Sequence, residues 1–252
     1  MNHRKMLGID LGGSGFRIGI FDCETGSLVE DFIEMDHDES PHPDAVLPKI
    51  CSVLEGLRWK GPIGLGFPGA VGERTLMTAP NIGKEWLDAR VIETLEECCG
   101  GPVALINDAD AVAIAEVKFG SGRGEHGRLL TLTIGTGLGT TVHEKGVLLP
   151  NLEYGLAPHP TRKVTLEEHI SGRARTVFDL TLIQWSQRFQ EGLDHLYEEF
   201  NPDRIVLYGG IMEHWDELRH LLHAPCRLLP ATHAHTAGAL GAAFCSTISS
   251  KP

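Results

Sequence analysis

An aspartate followed by glycines, Asp10-Leu11-Gly12-Gly13-Ser14-Gly15, ends an apolar run near the start of this 252-residue chain. Glycine amides can approach phosphate oxygens while a carboxylate orients a magnesium ion or its waters, so the pattern suits a metal-bound phosphate. A tight hairpin with an incidental aspartate has the same spelling. A second glycine-rich turn, Thr133-Ile134-Gly135-Thr136-Gly137-Leu138-Gly139-Thr140, adds hydroxyls as phosphate donors. It departs from the dinucleotide fingerprint, because Thr140 stands where GxGxxG needs its third glycine. Glu85 after Gly83-Lys84 rules out a Walker lysine. Asn107-Asp108-Ala109-Asp110 follows a strand-like run and opens a helix. A carboxylate there reaches a ligand at the carboxyl end of a sheet, caps the helix, or does both.

Such residues act only if elements hold them. Residues 6–22 and 129–143 both read strand, glycine turn, strand, and Gly12 and Gly135 stand 123 residues apart, nearly half the chain. The turn glycines are expected to supply positive φ and open space. Two like hairpins predict two related α/β halves. Pro43 to Arg58 carries a helix-period apolar set (Val46, Leu47, Ile50, Val53, Leu54, Leu57) behind an acidic, proline-containing loop at 36–44. Residues 63–67 and 103–106 read as buried strands. Asp88 is the expected cap of a helix through Val91, Ile92 and Leu95 that Gly100-Gly101-Pro102 stops. Helices are predicted over 109–117, most of 165–200 with a break at Gly172, and 237–248, with a strand at 205–208 ending in Gly209-Gly210. Strands alternating with helices give an α/β class.

Composition narrows the function. Twenty-two Lys and Arg face 34 Asp and Glu, a net charge of −12 that counts against nucleic acid or anionic membrane as partner. Arg162-Lys163 and Arg173 with Arg175 are the candidate track for a polyanion; a solvated helical face reads the same. No run of 18 apolar residues predicts a membrane span, and no signal-peptide core follows the first residues. A cytoplasmic protein with six free cysteines (23, 51, 98, 99, 226 and 245) is therefore expected. Among 13 histidines, His233-Ala234-His235 is the most suggestive pair, without a third ligand at sensible spacing. HExxH, GxSxG and CxxC are absent, so hydrolase and redox readings gain nothing.

In order along the chain come GIDLGGSG at 8–15, GFPG at 66–69, INDADA at 106–111, TIGTGLGT at 133–140, PNLEYG at 150–155, LEEHISGRA at 166–174 and VLYGGI at 206–211. The set resembles the ROK family of sugar kinases, of the actin-like, ribonuclease-H-like ATPase superfamily. Ala79-Pro80-Asn81-Ile82 with Trp86, and Leu149-Pro150-Asn151, point to its polyphosphate or ATP glucokinases. The resemblance implies two α/β domains, 1–107 plus 236–252 and 108–235, with an interdomain cleft. It implies phosphoryl transfer from ATP or polyphosphate to the C6 hydroxyl of a hexose, glucose first, by a homodimer. Asp108 would be the general base. Asn81, Asn107, Glu153 and Glu167 would bind the other hydroxyls. Asp10 would place Mg²⁺, while Gly12, Gly13, Ser14, Thr136 and Gly137 cradle phosphates and Gly209 and Gly210 border the adenosine.

Two departures stand out. Where the family carries Glu-x-Gly-His this chain has Glu153-Tyr154-Gly155-Leu156, and nearby His159 is the expected replacement. The family's cysteine-rich zinc motif would fall between Leu156 and Thr165, where there is no cysteine, so no structural zinc is expected. Leu156 keeps two alternatives open: a kinase for mannose, fructose or an N-acetylated sugar, and a sugar sensor without turnover. A repressor of the same family is not expected, since the chain opens directly on its first strand.

Overall fold

Two five-stranded sheets, each in its own unit, carry the functional turns at their strand ends. The computed structural model describes residues 5–37 and 41–249, so the centre of the acidic loop, 38–40, lies outside the described residues.

The first unit opens with β1 (Lys5–Leu11), β2 (Gly15–Asp22), β3 (Ile33–Asp36), α1 (Pro43–Gly56) and β4 (Ile63–Phe67), then α2 (Val91–Cys99), β5 (Val103–Asn107) and α3 (Asp108–Phe119). Its sheet order is β3-β2-β1-β4-β5, with the β1–β2–β3 pairs antiparallel and β1, β4 and β5 parallel. β1 and β4 are buried nearly end to end, as strands covered on both faces must be. Ile50 and Leu54 of α1 and Leu95 of α2 join Leu7, Ile9 and Phe67 in the core.

The second unit holds β6 (Arg128–Ile134), β7 (Leu138–Glu144), β8 (Val147–Leu149), α4 (Leu166–Ile170), α5 (Gly172–Val177), α6 (Leu182–Phe200), β9 (Arg204–Tyr208), α7 (Trp215–Leu221) and β10 (Arg227–Pro230). Its order, β8-β7-β6-β9-β10, repeats the first sheet strand for strand: an antiparallel hairpin with an edge strand, then two parallel strands. The core gathers on Trp185 and Phe189 of α6, stacked 4.7 Å apart; Trp185 also donates its indole N–H to the Ile170 and Ser171 carbonyls.

The chain closes with α8 (Ala237–Ser249), which belongs to the first unit. It lies so close to the sheet that β-carbons on Gly8 and Gly64 would collide with the Ala239 and Ala242 carbonyls. One unit runs to Ala115 and resumes at Thr236; the other is Glu116–His235. The boundary falls inside α3 rather than before it because Ala111 of α3 packs on Ala242 of α8.

Several expectations are corrected. Asp88 closes a 3-10 turn, Lys84–Asp88; the residue preceding α2 is Arg90, which makes no side-chain cap, so Asp88 stands too early to reach the helix. The helical stretch 165–200 breaks twice, because Ser171 and Thr181 each cap a new helix. The short edge strands β3, β8 and β10, and α7, carry too few periodic residues to have been read. Cys51 of α1 and Cys98 of α2 are not free thiols: their Cα atoms stand 5.6 Å apart and the sulfurs are bonded. Cys23, Cys99, Cys226 and Cys245 are free.

Two measurements test this frame. Thiol titration of the unfolded, unreduced protein should find four reactive sulfurs, and six after reduction; six from the start would remove the Cys51–Cys98 bond. His143 of β7 is buried with its Nδ1 unpartnered, and burial pushes its pKa down to about 4. The unfolded imidazole titrates near 6.5, so between these values the unfolded chain binds a proton that the folded chain refuses. Stability should therefore fall as pH drops from about 6.5 towards 4, by about 2 kcal/mol at pH 5. Urea midpoints of His143→Leu should lose that share of the pH dependence.

Candidate active site

In the first unit the candidate residues sit on the carboxyl ends of β1 and β5. Asp10 stands opposite Arg17 in the hairpin register and accepts a 3.3 Å hydrogen bond from its Nη1. Burial raises the carboxyl pKa of Asp10, and Arg17 opposes that rise. The first turn of α8 closes over the same carboxylate: a β-carbon on Gly238 would lie 2.6 Å from Asp10 Oδ2. A helix N-terminus favours negative charge there. The one local signal for Gly238 is a glycine at the second position of a small-residue helix.

The turn after Asp10 is tight but not left-handed. Gly12 N–H donates to Gly15 O at 2.8 Å, and His37 Nε2 bonds the Gly12 carbonyl at 2.9 Å. Neither Gly12, Gly13 nor Gly135 takes the positive φ expected of it. Gly13 is required instead by close approach, since a β-carbon there would fall 2.7 Å from Asn81 O. Gly13, Ser14 and Asn81 are all exposed beside one another's backbone. The segment bearing Asn81 is anchored by buried Ile82 and by Trp86, whose indole donates to Pro41 O.

Asn107 and Asp108 divide the work that either could have done. Asn107 is buried; its Oδ1 accepts Asp110 N–H at 3.1 Å and caps α3, while its Nδ2 donates to Gly69 O at 3.1 Å. Asp108 is half-buried and takes Ala109 N–H on Oδ1. Asp10 pairs with Gly66 and Gly66 with Ile106. Asp10 on β1 and Asp108, directly after β5, thus lie on either side of β4, with about 10 Å from β1 to β5.

In the second unit the elements converge on Gly135-Thr136-Gly137. Gly135 O accepts Arg173 N–H at 3.0 Å, so α5 begins against the turn. Leu138 N–H donates to Glu167 Oε2 at 3.3 Å, tying α4 to the same place. Gly155 and Gly209 press on the Leu138 and Ile134 carbonyls so closely that β-carbons would collide. Nothing lies within 4 Å of where β-carbons on Gly135 and Gly210 would point, which leaves room for a ligand above them. Glu153 holds a left-handed φ of 47°, as Asn151 does at 56°, so the chain turns sharply where it presents Glu153. Thr140, by contrast, is buried and accepts Tyr154 N–H, so its hydroxyl fixes the Glu153 loop.

Leu156 is 47% exposed, and His159 does not replace the family histidine there: its buried ring lies edge-on to His169. Arg162 is held by Glu191 at 2.9 Å, while Arg173 meets the turn through its backbone N–H.

The repeated sheet topology, with glycine turns and carboxylates at the strand ends, defines an actin-like α/β phosphotransferase scaffold. The ROK family model matches residues 6–150, and the chain belongs to that family. It is 34% identical over 244 residues to the polyphosphate glucokinase of Mycobacterium tuberculosis strain H37Rv, covering 96% of this chain and 91% of that one. The crystal structure of the inorganic polyphosphate/ATP-glucomannokinase from Arthrobacter sp. strain KM superimposes with a TM-score of 0.90 at 30% identity, over 97% and 99% of the two chains. The ROK glucokinase of Streptomyces griseus, at 22% identity, shares the fold with a TM-score of 0.79 over 97% and 99%.

Removing the Asn107 side chain leaves the α3 cap and the Gly69 carbonyl without partners. Asn107→Ala should lower unfolding free energy by about 2 kcal/mol. Urea denaturation measures it, and an unchanged midpoint would show that neither bond bears on stability.

Proposed function

We propose that this chain is a hexose kinase that moves a phosphoryl group from ATP or polyphosphate to the C6 hydroxyl of glucose. Family membership supports the class, and one observation carries the assignment to residues: carboxylates stand at the ends of β1 and β5 with one strand between them. That spacing suits one acid on the metal–phosphate side and another on the acceptor.

Asp108 takes the hydroxyl proton as the sugar oxygen forms its bond to the terminal phosphorus. The bridging P–O bond breaks, and ADP or a polyphosphate one unit shorter leaves. Asn81, Glu153 and Glu167, with Asn107 behind Asp108, position the other hydroxyls; such orientation supplies much of the acceleration in phosphoryl transfer. Gly12, Gly13, Ser14, Thr136 and Gly137 receive the phosphates, and Gly209 and Gly210 the adenosine when ATP is the donor. Asp10 suits Mg²⁺: it is a hard oxygen donor, held by a hydrogen bond from the Arg17 guanidinium at 3.3 Å. Bound Mg²⁺ supplies charge neutralisation on the donor phosphates. Arg173, whose backbone meets the Gly135 turn, and Arg175 of the same helix suit a longer polyanion. The reading includes a cytoplasmic homodimer, which light scattering on the purified protein would check.

Mannose is the second acceptor, favoured by Leu156 at the family's histidine position and by the glucomannokinase relative. A coupled assay with Mg²⁺, glucose or mannose, and ATP or polyphosphate tests both readings. Sugar 6-phosphate should form, and the rate ratios assign donor and acceptor. Asp108→Asn should lower kcat by about 10²–10⁴-fold while sugar still binds. A variant retaining most of its rate would remove Asp108 as base, and folded wild-type protein silent with both donors would favour a sugar sensor.

A further inference from the structure

The register of the first sheet carries the chain past the end of β3 and onto the glycine turn. Gly15 stands opposite Asp36, so Ser14 and His37, one step further along each strand, fall opposite one another. Glycine is required at 15, since a β-carbon there would collide with the Met35 carbonyl. His37 then holds the turn twice: its backbone N–H donates to Ser14 O at 2.8 Å, and its ring Nε2 lies 2.9 Å from Gly12 O. A carbonyl only accepts, so Nε2 carries the ring proton. Gly12 N–H donates in turn to Gly15 O at 2.8 Å. The N–H groups of Gly13 and Ser14 donate to nothing among the described residues, and both residues are exposed.

A trans peptide is planar, with its C=O and N–H on opposite sides. Holding Gly12 O against the His37 ring therefore points the Gly13 N–H away from that ring. Glycines on both sides of this peptide leave it free to turn over at little steric cost. A turned peptide would show an approaching phosphate the Gly12 carbonyl oxygen, a negative partial charge in place of a donor. We propose that His37 is a positioning residue for the phosphoryl donor: its Nε2–H fixes the Gly12–Gly13 peptide so that the Gly13 N–H, and not the Gly12 carbonyl, meets the phosphate. The inference rests on the kinase reading above, in which Gly12, Gly13 and Ser14 receive the donor phosphates.

No neighbour replaces the imidazole. Among the described residues, no other side chain donates to a carbonyl of the Gly12–Gly15 turn. Arg17, on the same hairpin, is engaged by Asp10 at 3.3 Å and Glu34 at 3.9 Å. The Asn81 carbonyl crowds Gly13 but is itself an acceptor and holds no peptide plane. Backbone donors stabilise anionic charge because they are aimed before the ligand arrives, and losing one such donor costs about 10²–10³-fold in kcat. The effect of His37 should fall on the donor rather than the sugar. Although Asn81 touches Gly13, its segment has separate anchors in buried Ile82 and in the Trp86 bond to Pro41 O.

The test titrates the full chain by calorimetry with Mg²⁺-tripolyphosphate and, separately, with glucose, and measures donor kinetics with ATP. His37→Ala should weaken tripolyphosphate binding about tenfold or more and lower kcat/KM for ATP at least as far, with glucose affinity unchanged. His37→Gln, whose side-chain amide nitrogen reaches as far as the ring Nε2, should restore most of the donor affinity. His37→Asn, shorter by one methylene, should behave like the alanine variant. Thermal unfolding run in parallel shows that each variant is folded. The proposal is overturned if His37→Ala binds and uses the donor as wild type does, if glucose affinity falls along with donor affinity, or if Gln and Asn behave alike. Wild type that binds tripolyphosphate but phosphorylates no sugar removes the kinase reading alone, because the titrations still decide for or against His37. Wild type that binds no tripolyphosphate removes the phosphate role of the turn, and this proposal with it.

Discussion

The first unit depends on a helix lying closer to its sheet than side chains normally permit. Gly8 and Gly64 let the backbone of α8 rest directly on β1 and β4, and Gly241 does the same for α8 against Ala111 of α3. Burying α8 so deeply places its first turn, at Gly238, over the Asp10 carboxylate. Burial there raises the Asp10 pKa, and the Arg17 guanidinium opposes the rise. A methyl group at any of these glycines would lift the helix and move the acid. Small residues through α8 are thus as much a part of the site as Asp10.

The second unit reaches a similar result by other means. Its β6–β7 turn is fixed from the sides, by Arg173 N–H on Gly135 O, Glu167 on Leu138 N–H, and the glycines 155 and 209 against neighbouring carbonyls. Both turns expose their tips, Gly13 and Ser14 in one and Gly135 and Thr136 in the other, which suits phosphate contact through backbone amides.

The legible part of the structure was what one element or one spacing dictates. Two strand–glycine–strand runs half a chain apart announced the repeated sheet, and Asn107-Asp108 after an apolar strand announced a carboxylate at a sheet end. Contacts between distant segments were not legible. Nothing local marks Gly238 as the lid on Asp10, or Cys51 as the partner of Cys98 across 47 residues. The role of the turn glycines was misread for the same reason: the constraint on Gly13 is the Asn81 carbonyl, a tertiary neighbour, rather than its own φ. Asp88 failed as a cap because the 3-10 turn it closes, anchored by buried Trp86, overrode the local preference.

Hydrogen-bond capacity separates the structural acids from the chemical ones more sharply than burial does. Glu116 is fully buried, yet its carboxylate accepts the Ser121, Thr232 and His233 N–H groups, so it is saturated by the backbone it organises. Glu168 closes the capping box of α4 by taking Thr165 N–H and hydroxyl. Glu167, its neighbour in sequence, turns the other way and meets the Leu138 amide at the edge of the phosphate-type turn at 3.3 Å. Adjacent glutamates on one short helix are thereby assigned opposite work, one bracing the helix and the other facing the turn. The same division holds between Asn107, whose amide braces α3 and Gly69, and Asp108, which the brace presents half-exposed at the end of the sheet. In each pair a residue whose bonds are satisfied within the fold holds steady the one beside it that a ligand can reach.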